Sequence, residues 1–311
     1  MASDTVPKLS VLVLGFNQES YIRNAVQSAF NQTADSLEIV LSDDASADNT
    51  YDIMERMAAE YQGPHKVLCR RNRVNQGTNS HLNTLIELAA SDRIMCIAGD
   101  DVALPNRASR VIATFDSEKA WLVHSDAEAI DSAGQVVRQR GFDTATLRGP
   151  YDILDAARSQ GLYLGATVAF HKDLFRKYGP LPNTSAYEDL IIGFRAALEK
   201  RDVYLNEVLI QYRVDTGVSV KANAPRDFAQ WRQMRLRQLN RQIAVFQQRL
   251  EDALEFGFEK SHPVYRLMLR QVFQRKARKD FHDLGFMKGN ETARVKLAAA
   301  IFEFIRRFKR R

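Results

Sequence analysis

Leu9-Ser10-Val11-Leu12-Val13-Leu14, followed at once by Gly15-Phe16-Asn17-Gln18-Glu19, is the stretch that decides the fold. An almost unbroken apolar run, closed by glycine and polar residues, reads as a strand buried on both faces. Beyond it Tyr21, Ile22, Ala25, Val26, Ala29 and Phe30 recur at helical spacing. The alternation continues: strand over Leu37–Leu41, helix over Asp48–Tyr61, strand over Lys66–Cys69, helix over Ser80–Ala90, strand over Ile94–Ala98. Regular alternation predicts an α/β fold, a Rossmann-like, mostly parallel sheet flanked by helices. In such sheets ligands bind beyond the carboxyl ends of the strands.

Each of those ends carries a polar cluster. Gly15-Phe16-Asn17 follows the first strand and Ser42-Asp43-Asp44-Ala45-Ser46-Ala47-Asp48-Asn49-Thr50 the second. Asn75-Gln76-Gly77 follows the third, and Gly99-Asp100-Asp101, with Pro105, the fourth. All four are expected on one edge of the sheet. There Phe16 offers a stacking face, and an Asp can accept a hydrogen bond from a nucleobase edge. The pair Asp100-Asp101 can hold a hard divalent cation whose shell is completed by diphosphate oxygens and water. Asp, Asn and Gly are also the ordinary residues of turns and helix caps, and any one cluster taken singly reads more readily as a bare turn. Their joint appearance after successive strands favours a binding edge.

Further along, Trp121–His124 and Val203–Ile210 read as strands, and Tyr151–Ala157, His171–Lys177 and Glu188–Lys200 as helices. From Arg226 the pattern is helical, with an apolar stripe at Trp231, Met234, Leu236, Leu239, Ile243, Phe246 and Leu250. A break at Gly257–Pro263 precedes two more helices, roughly 264–284 and 291–309. Residues 1–224 hold 23 Lys and Arg against 29 Asp and Glu, while residues 225–311 hold 21 against 9. A mildly acidic body joined to a basic tail divides the chain into a ligand-binding domain (1–224) and a C-terminal helical extension (225–311).

As an ordered set, the motifs closely resemble family 2 glycosyltransferases of the GT-A fold, over about residues 8–220. They run from Leu9–Asn17 through Ser42–Thr50, Asn75-Gln76-Gly77 and Gly99-Asp100-Asp101 to Ser125-Asp126, Asp131-Ser132-Ala133-Gly134, Gly165-Ala166-Thr167, His171-Lys172-Asp173-Leu174-Phe175, Tyr187-Glu188-Asp189-Leu190 and Gln211-Tyr212-Arg213-Val214. The resemblance implies inverting transfer of a sugar from a nucleotide-sugar donor, expected to be a UDP-sugar, to a saccharide or lipid-linked acceptor. Mg²⁺ or Mn²⁺ is the implied cofactor, and bacterial surface polysaccharide or lipid-linked oligosaccharide the implied product. Phe16 and Asp43 would hold the nucleobase, with Asn17, Asp44, Asn75 and Gly77 around the donor. Asp100 and Asp101 stand at the metal motif, Asp101 as direct ligand, and Asp189 stands at the catalytic base with Glu188 beside it. From the residues alone, acids opening a helix equally suit the helix dipole.

Two positions depart from the family's pattern. Ala98 stands where many relatives carry a further Asp, which implies a cation resting on fewer carboxylates. Asp215 stands where relatives often carry His, so either an oxygen ligand replaces it or a contact is lost. Arg213 and Lys221 could offset diphosphate charge, but solvated surface positions are the plainer expectation. Two rival functions share the pattern: a non-catalytic nucleotide-binding scaffold and a nucleotidyltransferase. The second would be expected to carry a basic, glycine-rich phosphate loop after the first strand, where Gly15-Phe16-Asn17-Gln18 stands.

Cys69 and Cys96 lie in strand-like runs and read as buried free thiols. The six histidines have no ligand-like spacing, although His124 and His171 fall near the expected cleft. The opening Met1–Lys8 is short and polar, so a cytoplasmic protein is expected, either free or, through its basic tail, peripheral on the inner face of the plasma membrane. The last helix sets Val295, Leu297, Ile301, Phe302, Phe304 and Ile305 among basic residues. Residues 291–311 therefore suit either an anionic membrane surface or a homo-oligomer contact. Nucleic acid is not an expected partner, since no recognised module accompanies the charge.

Overall fold

The computed structural model describes residues 6–139, 151–214 and 227–284. Four parallel strands, β1 (Ser10–Gly15), β2 (Glu38–Asp43), β3 (Lys66–Arg71) and β4 (Arg93–Ala98), lie in the order β3-β2-β1-β4. Helices α1 (Ile22–Phe30), α2 (Thr50–Glu60) and α3 (Thr78–Leu88) connect them. Every residue of β2 is buried, as is every residue of β1 but Leu14, whereas β3 at the sheet's edge alternates half-buried and exposed positions. The unbroken apolar run was therefore a faithful sign of a central strand.

The second half of the sheet is mixed. It comprises β5 (Val102–Ala103), β6 (Leu122–Ile130), β7 (Val136–Arg138), β8 (Ala169–His171) and β9 (Asp202–Arg213), with β8 antiparallel between β4 and β6. Helix α4 (Arg107–Glu118) precedes β6, and α5 (Ile153–Arg158), α6 (Asp173–Tyr178) and α7 (Glu188–Glu199) cover the far side. The helix expected over His171–Lys177 is corrected here. His171 pairs with Arg93 as the last residue of β8, and its Nδ1 accepts the Asp173 amide at 3.2 Å, where α6 begins.

Two helices follow, α8 (Phe228–Phe256) and α9 (Pro263–Leu284), separated at Gly257, whose φ of 105° a side chain would resist. Within the apolar stripe of α8, Leu239, Ile243 and Phe246 are buried and Trp231, Met234, Leu236 and Leu250 half-buried. Val245, Phe246 and Ala253 share one hydrophobic cluster with Leu12, Phe170, Ile191 and Phe194 of the sheet and α7. The core thus crosses the boundary expected at 224/225, and α8 is a wall of the same body. A second cluster, including Val11, Ile39, Met54, Met95 and Phe115, fills the other face under α1, α2 and α4. Among the described residues no helix is long and apolar enough to cross a membrane. Residues 291–311, Asp215 and Lys221 lie outside the described residues.

A buried ion pair ties α8 to α7. Arg195 Nε and Nη2 donate to the two carboxylate oxygens of Asp252 at 3.0 and 3.1 Å, and its remaining donors reach Gly179 O and Tyr178 O. Both side chains are sealed from solvent. Removing one partner strands the other charge in the interior. Asp252→Ala should lower the unfolding free energy by about 3–5 kcal/mol in a denaturant titration. A loss below about 1 kcal/mol, the ceiling for most exposed pairs, would contradict this packing.

Candidate active site

The parallel register places Gly15 beside Asp43 and Leu14 beside Ala98, so the loops after β1, β2 and β4 leave side by side. Phe16 projects with 44% of its surface exposed. Asn17 adopts a left-handed backbone (φ 52°) and clips this loop to the next: its amide donates to Ser46 Oγ at 2.9 Å and its Oδ1 accepts the Ala47 amide at 2.9 Å. Ala45 is also left-handed (φ 60°), a conformation costing a non-glycine residue about 1–2 kcal/mol and often found at functional loops.

Asp43 is fully buried. Its carboxylate accepts the Ser46 amide and hydroxyl, and Arg71 Nε lies 3.2 Å away. Asp44, equally buried, organises the loop after β3: it accepts the Gln76 amide (2.9 Å), the Gly77 amide (3.0 Å) and Asn72 Nδ2 (2.7 Å). Asn75 completes the loop by donating to Asp44 O and accepting from the Gly77 amide. Asp43 and Asp44 therefore form the frame on which Phe16, Asn17, Asn75 and Gly77 are displayed.

Asp101 has a different environment. It is 1% exposed; its Oδ1 accepts the Arg213 amide at 3.0 Å, but Oδ2 is buried with no hydrogen-bond partner. Burial, reinforced by the neighbouring charge of Asp100, pushes its carboxyl up to about 8. Arg213 is corrected from a solvated surface position to a buried clamp. Its Nε donates to Asp100 O at 2.9 Å, another donor reaches Asp131 O, and the guanidinium lies over the Tyr21 ring. Its guanidinium holds the turn through Asp100 O, while its backbone amide engages Asp101 Oδ1. Among the described residues no group of three or more His, Cys, Asp or Glu could hold a metal ion. Among the described residues, a cation here would rest on this pair.

Glu188 and Asp189 open α7, half-buried. Burial pushes both carboxyls above the usual range, and the charge of Asp189 raises Glu188 further. The 3-10 turn Gly165–Thr167 lies between this pair and Asp101. Arg107, fully buried and electrostatically coupled to Asp101, donates to Ala166 O (3.0 Å) and Val168 O (3.3 Å). Gly165 itself faces the base candidate: a Cβ there would sit 3.3 Å from Asp189 Cβ and 3.4 Å from Oδ2. On the other side, Asn79, Ser80 and Asn83 of α3 bond to Pro182 O, Asn183 Oδ1 and Leu181 O, tying the donor-side helix to the segment that leads into α7.

Neither histidine near the expected cleft serves as a polar group there. His124 is buried among Tyr151, Tyr163 and Tyr204, and burial pushes it down to about 4. His171 pairs with the first residue of β4 and so sits at the opposite edge of the sheet. Cys69 and Cys96 are free thiols, raised by burial to about 11 and about 12.

The sequence profile of glycosyl transferase family 2 matches residues 10–179, more than half of the chain. The chain belongs to this family. EpsH of Bacillus subtilis (strain 168), named a glycosyltransferase, is 29% identical over 217 residues, 67% of this chain and 61% of EpsH. WfaP of Escherichia coli, a UDP-Glc:alpha-D-GlcNAc-diphosphoundecaprenol beta-1,3-glucosyltransferase, is 25% identical over 118 residues, 38% of this chain and 45% of WfaP. The aligned region spans less than two thirds of either relative. Among solved structures, S. aureus TarS 1-349 in complex with UDP-GlcNAc superposes with a TM-score of 0.57 at 16% identity, covering 88% of this chain and 81% of that one. The mannosyltransferase PcManGT from Pyrobaculum calidifontis, solved with GDP-Man and Mn²⁺, gives 0.55 at 16% identity, covering 95% and 74%. The fold of this family 2 chain is GT-A.

Several residues around the family 2 site carried no sequence signal. Arg71, Arg107 and Arg249 look like surface cations by type, yet Arg107 and Arg249 are fully buried and Arg71 closes the Asp43–Ser46 knot. Only the apolar stripe of α8, which buries its neighbours, hinted at Arg249. For the frame, Asp44→Ala should speed amide exchange at Gln76 by about tenfold or more, because it loses its acceptor, and at Gly77 by less, because Asn75 Oδ1 remains. Unchanged exchange at both amides would show that the loop holds itself.

Proposed function

We propose that this glycosyltransferase transfers a sugar, with inversion at the anomeric carbon, from a nucleoside-diphosphate sugar, expected to be a UDP-sugar, to an acceptor hydroxyl. The observation that carries the reading is the Glu188-Asp189 pair, held above the usual carboxylate range against the bare backbone of Gly165. A general base is most effective when its pKa lies near the working pH. Asp189 takes the proton of the acceptor hydroxyl as its oxygen attacks, and Glu188 shares the local charge and contacts acceptor.

On the donor side, Phe16 stacks on the nucleobase, and the frame of Asp43, Asp44, Asn17, Asn75 and Gly77 sets the width of its slot. Asp101, with Asp100, would hold Mg²⁺ or Mn²⁺. The buried Oδ2 of Asp101, without a hydrogen-bond partner, is the donor atom such an ion would satisfy. Bound there with the diphosphate, the cation would offset the charge of the departing nucleoside diphosphate. Support for these ligands comes from the UDP-GlcNAc held by TarS and the Mn²⁺ and GDP-Man held by PcManGT. The name of WfaP supports a lipid-linked acceptor and a setting in bacterial surface polysaccharide or lipid-linked oligosaccharide synthesis. Residues 1–224 supply the catalytic surface, and α8 and α9 buttress it. Residues 291–311 are offered as a contact for an anionic membrane or a second copy.

The test is hydrolysis of UDP-glucose and UDP-GlcNAc with Mn²⁺ across pH. A base must be ionised, so raised carboxyls give a rate that climbs through pH 6–7 rather than near pH 4. Asp189→Asn should lower kcat on the order of 10²- to 10⁴-fold. Full activity in Asp189→Asn would sink the base assignment, and no turnover of any nucleotide sugar by the parent chain would favour a scaffold.

A further inference from the structure

We propose that Arg249 of α8 is a positioning residue for Asp189, its guanidinium holding the first turn of α7 at the height where the carboxylate meets the acceptor hydroxyl. The proposal rests on the reading of Asp189 as the base, and the experiment below separates the two.

Arg249 is completely buried. Its Nε and Nη2 both donate to Leu190 O, at 3.0 and 2.7 Å, and Nη1 donates to Ser159 O at 2.9 Å. The rings of Phe194 and Phe246 flank the guanidinium, each 5.4 Å away. One peptide earlier, the Tyr163 hydroxyl donates to Asp189 O at 2.6 Å. Inside an α-helix, each of these carbonyls has a backbone donor four residues on. The side-chain donors are therefore surplus to helix formation, and what they fix is where the turn sits. Both converge on the two successive peptides that follow the Asp189 Cα, on either side of Leu190. Gly165 then closes the space on the carboxylate's other side.

The charge acts in the same place. Asp189 is flanked by Glu188 on its own helix, by the Tyr163 hydroxyl below and by Arg249 from α8; Arg241 of α8 faces Glu188 across the Tyr187 ring. Arg249 in turn lies near Asp252 and Arg275. Of the groups facing Asp189, Arg249 is the cation that opposes the burial penalty on its carboxylate. A residue that only docked α8 on α7 would need neither this charge nor two bonds to one carbonyl.

The experiment uses the full chain with ¹³C-labelled aspartate, in which the Asp189 carboxyl signal is assigned by its loss in Asp189→Asn. Alongside it, kcat and KM are measured for hydrolysis of UDP-GlcNAc, UDP-glucose and GDP-mannose. Arg249→Gln should raise the Asp189 titration midpoint by about one pH unit. It should also lower kcat at pH 7 by about 10- to 100-fold with KM changed less than about threefold. Arg249→Lys, which keeps the charge and loses the fork, should leave the midpoint in place and still lower kcat. Tyr163→Phe removes one carbonyl donor without altering charge, and should lower kcat without moving the midpoint. A midpoint unmoved in Arg249→Gln overturns the proposal. Should that variant not fold, unchanged kcat in both Arg249→Lys and Tyr163→Phe overturns it. Wild-type turnover by Asp189→Asn would instead overturn the base reading, whatever the Arg249 variants do.

Discussion

The parallel pairing of β1 with both β2 and β4 is the constraint on which the rest depends. Because the three strands run the same way and in register, whatever follows Gly15, Asp43 and Ala98 emerges on one edge. Adjacent strands lie about 4.8 Å apart, so the exits of β2 and β4 are separated by roughly 10 Å, the span of a nucleotide's base and ribose rather than of a protein. A shift of one residue in either pairing would turn the strand-end side chains to the opposite face of the sheet. The closed hydrogen-bonded turns at Asn17–Ser46 and Asp44–Gly77 then hold these exits rigid.

Burial of the candidate acids is resolved in two ways. Asp43 and Asp44 receive amide, hydroxyl and guanidinium donors on their carboxyl oxygens. Asp101, Glu188 and Asp189 receive fewer, and burial raises all three. Fully bonded acids frame a site, whereas acids short of donors are where a cation or a proton can be taken up. That division was not visible from residue type, since all five are Asp or Glu at strand ends, in loops or at helix starts.

Much of the fold was legible in the sequence for a local reason. The strands β1 to β4 are unbroken apolar runs and the helices between them are amphipathic, so periodicity alone located them within a few residues. The polar clusters were legible because each follows its strand directly. What escaped was non-local. Strand β8 is three residues long, and its place between β4 and β6 depends on partners more than 40 residues away in sequence. Arg107, Arg213 and Arg249 escaped because arginine is mostly exposed in proteins, and here they bond to carbonyls from segments distant in sequence. The same distance hid the role of α8, which sequence composition assigned to a separate basic extension and which instead completes the core beneath α7.

The central claim, that acids from separate segments serve one cleft, is tested most directly by crystals grown with UDP and Mn²⁺ and measured for anomalous scattering. The account predicts an anomalous peak about 2.0–2.3 Å from Asp101 Oδ2, uracil against Phe16, and the Asp189 carboxylate opening onto the same cleft. Manganese bound elsewhere, or Asp189 on a surface the nucleotide does not share, would contradict it.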